Sequence, residues 1–296
     1  MIDVSIVIVN YNSGEWLERA IRAVMDTTSG LACEVIVSDN GSQDDSDSQA
    51  EKIFGSKIRL LRLGANKGFA AANNAALPYC HGRNILFLNP DTEVQSEAIR
   101  RMSTYLDEHD RVGACGGNLF LPDGKAAFSY WMTLPGVRFE WNRLFSDLFL
   151  RLRYKGSQEH NYTGKVLNVA HSIGADLMVK KAVLDEVGGM DEAFFLFYEE
   201  TELCYRIHRA GYTIVNIPDA RITHAEGQTI DALGRRLPYM MKSRKLYMDK
   251  CLTSFSHIVA DGILWLSSSV RVAWFTLHGN AEKKQYWYYI KEHIRS

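Results

Sequence analysis

Asp91 stands where an apolar run, ILFLNPDTEV from Ile85 to Val94, breaks off into a polar turn. A carboxylate presented at the carboxyl end of a strand can hold a divalent cation, and a cation there can neutralise a diphosphate. Pro90 lacks an amide hydrogen and restrains Asn89 to extended geometry, which keeps the turn out of a helix. The same aspartate also suits a helix cap, because Ile99, Met102 and Leu106 recur at helical spacing within Gln95 to Asp107. Asp39 ends another strand. Its loop carries Asp44, Asp45 and Asp47, so much negative charge that a pyrophosphate would be repelled, which leaves Asp39 to accept hydrogen bonds from a base or ribose. An Asx-turn accounts for Asp39 equally well. Glu199 and Glu200 fall in the first turn of a helical stretch within FFLFYEETELCYRIHRAGY, where the positive end of the helix dipole favours ionised carboxylates and hence a general base. Ordinary helix-start preference explains the same pair. Asp176 follows Gly174 and Ala175, two small residues that let another body approach the backbone. His224 alone reads as a structural or surface histidine, and becomes a metal ligand only if the fold carries it to Asp91.

The elements that must position these groups alternate in type. Ser5 to Val9, Glu34 to Val37, Ile58 to Leu63 and Ile85 to Leu88 read as strands, the last buried on both faces because nothing in it alternates with polar residues. Between them lie a helix with Leu17, Ile21, Val24 and Met25 as its apolar stripe and an alanine-rich helix over Phe69 to Leu77. Asn12 and Glu15 have the spacing of a capping box for the first helix. Val112 to Cys115 and Thr213 to Ile217 read as further strands, Leu177 to Val179 as an apolar run after Asp176, Lys181 to Val187 as a short helix, and Ala220 to His224 as a separate segment. Strands alternating with helices imply parallel βαβ units and an α/β fold with a sheet covered on both faces.

The composition, 46% hydrophobic and 23% charged, belongs to an ordinary globular protein, and a formal net charge of -1 with no long basic tract excludes nucleic acid as a partner. The five cysteines form no CxxC pair, which suits a reducing cytosol. The apolar run at the N-terminus ends at Asn10, too short for a secretory signal or a membrane span. NYNSGE rather than GxGxxG follows the first strand, against a nicotinamide dinucleotide. It also supplies no cation, against nucleotidyl transfer.

Two stretches mix aromatic and basic or apolar residues. Phe128 to Tyr154 interleaves Trp131, Phe139, Trp141, Phe145 and Phe149 with Arg138, Arg143, Arg151 and Arg153, a pattern that fits a membrane surface, an acceptor groove or an amphipathic helix packed on the core. Beyond Gly227 the alternation stops and the tail reads as helices. Ile258 to Leu277 is apolar but interrupted by Asp261 and Arg271, a poor spanning segment that suits a bilayer interface.

Taken in order, SIVIVNYNSGEWL, VSDNGSQDDS, LGANKGFAAANNAA, LFLNPDTEV, the stretch from Gly174 to Tyr212 and IPDARITHAEG resemble the family 2 glycosyltransferases, and within them the bacterial rhamnosyltransferase-like branch. The resemblance covers about Asp3 to Gly227. It implies a GT-A fold, Rossmann-like with a mostly parallel central sheet flanked by helices, over 1–228, and a C-terminal helical extension over 229–296. It implies an inverting transfer from a nucleotide sugar, dTDP-rhamnose or a UDP-sugar, to a hydroxyl of a saccharide or lipid-linked saccharide, with Mg2+ or Mn2+ as cofactor. Asn10, Tyr11, Asp39, Asn66, Lys67, Gly68 and Asp91 would bind the donor, and Asp91 and His224 the metal. Asn89 stands where the first Asp of the family's DxD-type motif usually lies. The run EETE matches a motif usually written Glu-Asp, so Glu200 would be the catalytic base, with Glu199 and Asp176 as rivals. Cytoplasmic placement, peripheral on the inner face of the cell membrane, is the expectation, and a homo-oligomer is left open. The alternative is a sugar-nucleotide-binding scaffold that has lost catalysis.

Overall fold

Val4, Ile6 and Ile8 alternate with Val7 along the first strand, and all are fully buried, so this strand has a core on each of its faces. That pattern governs the molecule. A computed structural model describes residues 2–225 and 236–295. The strands are β1 Val4–Asn10, β2 Cys33–Asp39, β3 Ile58–Arg62, β4 Asn84–Leu88, β5 Thr92–Val94, β6 Val112–Phe120, β7 Tyr130–Trp131, β8 Leu167–Val169, β9 His171–Ser172, β10 Asp176–Lys180 and β11 Thr213–His224. The helices are α1 Glu15–Thr27, α2 Ser46–Phe54, α3 Phe69–Ala76, α4 Ala98–Glu108, α5 Val137–Leu144, α6 Leu148–Tyr154, α7 Lys181–Val187, α8 Glu199–Arg209, α9 Arg236–Cys251, α10 Ser254–Leu277 and α11 Ala281–Glu292.

The main sheet runs β3-β2-β1-β4-β10-β6-β11-β5, with β8 beside β11. β1 to β4 pair in parallel, as the βαβ alternation requires, while β10 lies antiparallel between β4 and β6. One face buries Ile6, Ile8, Val37 and Leu86 against Leu17 and Ile21 of α1 and Met102 and Leu106 of α4. The other buries Val7, Ile36, Phe87 and Leu177 against Ala70 of α3 and Leu203 and Ile207 of α8. The result is a helix-sheet-helix sandwich followed by α9, α10 and α11.

Three local expectations change. Asn12 does not cap α1: its backbone has φ 52°, its side chain accepts from the Gln43 amide at 2.6 Å, and Gly14 precedes the helix. Asp91 caps nothing, because β5 intervenes before α4 begins at Ala98. The segment from Ala220 to His224 is not separate. β11 runs from Thr213 to His224 with a register break between Ile217 and Arg221, where Pro218 has no amide hydrogen to give the ladder and the strand bulges. The boundary expected at 228/229 lies outside the described residues.

The C-terminal helices are pinned to the sandwich by a buried ion network. Arg244 of α9 donates to Glu140 of α5 at 3.0 Å and to Asp261 of α10 at 2.8 Å, with all three side chains buried. Removing the guanidinium leaves two buried carboxylates without their cation, which costs about 3–5 kcal/mol. Arg244→Met is therefore expected to lose stability on that scale in urea unfolding; a loss below about 1 kcal/mol would mean the network is dispensable.

Candidate active site

The site forms around the loop that enters β10. Asp176, its first residue, pairs with Leu88 at the end of β4, and the Asn89 amide donates to the Ala175 carbonyl at 3.0 Å. The Asn89–Asp91 turn is thereby tied to one side of Ala175. A Cβ placed on Gly174, the preceding residue, would stand 3.6 Å from the Glu200 side chain and 3.7 Å from the Phe69 ring. Within three residues the chain thus passes from the Glu200 side chain, in the first turn of α8, to the turn that presents Asp91.

Asp91 meets His224. β11 pairs antiparallel with β5 so that His224 lies opposite Thr92, which brings His224 Nε2 to 3.3 Å from Asp91 Oδ1. Both side chains are buried, and the Nδ1 of His224 has no hydrogen-bond partner among the described residues. Two ligands on one octahedral ion, with bonds of about 2.1 Å at right angles, would stand about 3.0 Å apart, so the pair fits a shared cation. Among the described residues no group of three His, Cys, Asp or Glu side chains converges, so positions on such an ion would be left for phosphate oxygens and water.

The three candidate carboxylates differ in access. Asp176 is fully buried, takes the Gly117 amide at 2.6 Å on one oxygen, and has its carboxyl pushed up to about 7 by burial. Glu199 is also buried, with one oxygen unpartnered among the described residues, and desolvation together with the neighbouring Glu200 charge raises its carboxyl well above the usual range. Glu200 is half-buried, and desolvation raises it to about 7, near where a general base works best at neutral pH. The helix dipole, expected to hold these groups ionised, is outweighed by desolvation. Its effect stays within about 1 kcal/mol at exposed sites, less than one pKa unit, whereas full burial moves carboxylates by several units.

The turn that presents Glu200 is strained. Phe197 and Tyr198, two aromatic residues, both have φ 69°, a region costing about 1–3 kcal/mol for a side chain of this size. α9 holds the turn in place. Ser243 donates to the Leu196 carbonyl at 2.8 Å, Tyr239 stacks on Phe195, the Arg236 guanidinium lies over Phe197, and Tyr247 packs on Tyr198. Sequence reasoning missed this role, since neither a positive φ at an aromatic residue nor the register of a distant helix leaves a mark in composition or periodicity.

The expected donor-binding residues gather at the ends of β1 and β2. Asp39 spends one oxygen on the Asn10 amide at 2.8 Å and the other on the backbone amides of Gly41 and Ser42, each at 3.2 Å, so its Asx-turn is real. Asn10 is fully buried and also donates to Ser42 and Ser46. Tyr11 is exposed beside it. Asn40, which sequence reasoning passed over, joins this edge to the loop before α3: it donates to Asn66 at 3.0 Å and accepts from the Lys67 amide at 2.8 Å. Asn66 and Lys67 are exposed, and Gly68 is buried with φ 93° against the backbone of Phe195. An alanine there would place its Cβ 2.7 Å from the Phe195 carbonyl oxygen. Gly68→Ala is expected to cost more than about 1 kcal/mol and to weaken donor binding, since the loop must leave the Glu200 turn. Calorimetric melting and a nucleotide titration check this, and an unchanged melting temperature would contradict it.

The architecture and the residues have parallels among known proteins. Over 97% of this chain and 92% of its own length, the dTDP-rhamnosyl transferase RfbF of Shigella flexneri is 26% identical. The low-salt glycan biosynthesis hexosyltransferase Agl10 of Haloferax volcanii is 29% identical over 77% of this chain and 68% of its own. An N-acetylglucosaminyl-diphospho-decaprenol L-rhamnosyltransferase of Mycobacterium tuberculosis is 26% identical over 74% of this chain and 75% of its own. Among solved structures, GalNAc-T7 with UDP, GalNAc and Mn2+ superposes with a TM-score of 0.62 at 15% identity, over 84% of this chain and 48% of that one. S. aureus TarS superposes at 0.56 and 16% identity, over 90% of this chain and 43% of that one. The chain spans about half the length of these two structures, and the likeness establishes the GT-A fold expected from the sequence. The family model described as glycosyl transferase family 2 matches residues 5–187, so the chain belongs to the family 2 glycosyltransferases.

Proposed function

We propose that this glycosyltransferase moves a sugar, with inversion at its anomeric carbon, from a nucleotide donor to a hydroxyl of a saccharide or lipid-linked saccharide. The observation that carries this reading is the three-residue span from Gly174 to Asp176, with Glu200 at one end and the Asn89–Asp91 turn at the other. Inversion needs a base on one face of the sugar and the leaving diphosphate on the opposite face. Glu200 takes the proton of the acceptor hydroxyl as its oxygen bonds to the anomeric carbon. The bond from that carbon to the diphosphate oxygen breaks, and the nucleoside diphosphate departs with the electron pair.

Asp91 and His224 would hold a divalent cation, Mg2+ or Mn2+, which supplies charge stabilisation for the departing diphosphate. An imidazole in the ligand set favours Mn2+ over Mg2+. Asn10 acts by fixing Asp39, while Tyr11, Asp39 and Asn66 to Gly68 border the nucleoside. Residues 1–228 carry this chemistry, and α9 braces the Glu200 turn.

Two rhamnosyltransferases among the relatives favour dTDP-L-rhamnose as donor, with UDP-hexoses next. Release of nucleoside diphosphate from a panel of dTDP- and UDP-sugars, with saccharide acceptors and either cation, tests the reading. One donor should turn over only with an acceptor and a cation present. Binding of a nucleotide sugar without transfer under any combination would instead support the scaffold alternative.

A further inference from the structure

α10 is 24 residues long, about 36 Å, and one of its faces is bare. Phe255, Ile258, Leu266, Val270, Trp274 and Leu277 recur at helical spacing and are 48–82% exposed. No charged residue interrupts them, since Asp261 and Arg271 point inward, toward Arg244 and the Arg143 carbonyl. The most apolar window of this helix has a mean hydropathy of 1.3, yet 28% of it is buried, unlike the core helix of a soluble domain. A contiguous exposed apolar face of this kind marks an interaction surface.

α5, which packs beside α10, and α6 after it continue the pattern with exposed Trp141, Phe145, Leu148, Phe149 and Leu152. Their charges are sorted by sign. Arg138, Arg151, Arg153 and Lys155 are exposed, whereas both acidic residues of the stretch, Glu140 and Asp147, are buried. A second copy docked through a two-fold axis would set this basic rim against itself. An anionic bilayer complements both the apolar face and the rim. The side-on ties of Asp261 to Arg244 and of Arg271 to Arg143 hold α10 along the protein rather than across a membrane.

We propose that α10, with α5 and α6, forms a docking face for an anionic lipid surface, on which α10 lies in the plane of the headgroups. This face shares no residue with the site around Glu200 and Asp91, so its failure and that of the catalytic reading are separable. Flotation of the full chain with vesicles of phosphatidylcholine and phosphatidylglycerol, and with phosphatidylcholine alone, tests it. The expected result is binding to the mixed vesicles, weakened by salt and by pure phosphatidylcholine. Leu266→Glu with Val270→Glu should reduce that binding by about tenfold or more, as should Arg151→Glu with Arg153→Glu on the separate helix α6. Nucleoside diphosphate release with a soluble acceptor should be unchanged in both double variants. No binding by the wild type, binding unaffected by the α6 variant, or a dimer in sedimentation velocity that Leu266→Glu with Val270→Glu turns into monomers would each overturn the proposal.

Discussion

Replacing Glu200 by Gln is expected to slow transfer by about a hundred- to ten-thousand-fold while leaving donor affinity nearly unchanged. The amide keeps the size of the carboxylate but cannot take a proton from the acceptor. The loss should therefore fall on the chemical step, seen in single turnover, and not on the dissociation constant of the nucleotide sugar. Burial raises the Glu200 carboxyl to about 7. A base must be ionised to act, so the wild-type rate should climb about tenfold per pH unit at low pH and level off above about 7. The same substitution at Glu199, which is buried and whose carboxyl desolvation pushes well above the usual range, should cost far less. Equal losses at the two positions would move the base from Glu200 to the pair as a unit.

Asp91→Asn should weaken nucleoside diphosphate binding when a divalent cation is present and have little effect when it is chelated. The carboxylate is one of the two side chains placed to share an ion, and its Oδ1 stands 3.3 Å from His224 Nε2. A ligand at about a hundred times its dissociation constant stabilises a protein by about 2.7 kcal/mol, and a tenfold weaker affinity cuts that to about 1.4 kcal/mol. A melting curve resolves the difference. His224→Ala should change the same readout in the same direction. An equal stabilisation of wild type and both variants, with and without Mn2+, would remove the pair from the donor site.

Much of this architecture was legible because the N-terminal half follows rules of pattern. The predominantly apolar strands β1 and β4 could only be central strands, and the polar turns after them could only lie at one sheet edge. Asp91 and Asp39 could be placed at that edge for the same reason. His224 could be named only conditionally, since its approach to Asp91 depends on β11 continuing past the Pro218 bulge to pair with β5. Asn12 misled because its pattern matches a cap while its side chain bonds the neighbouring loop. The upward shift of the Glu199 and Glu200 carboxyls was not legible because helix position is written in the sequence and desolvation is not; it depends on Gly174, Phe69 and α9 closing over the turn. The stretch from Phe128 to Tyr154 folds as β7, α5 and α6 rather than one helix, its breaks coming at Gly136 and at Ser146 and Asp147, all with positive φ.

The most direct test of the central claim, that one base opposite a leaving diphosphate carries the transfer, is the anomeric configuration of the product, read from its proton-carbon coupling in NMR. With the donor that the nucleotide panel selects, the account predicts a configuration opposite to that of the donor sugar. A product that retains the donor's configuration would contradict it, because a single displacement with Glu200 as base cannot give retention.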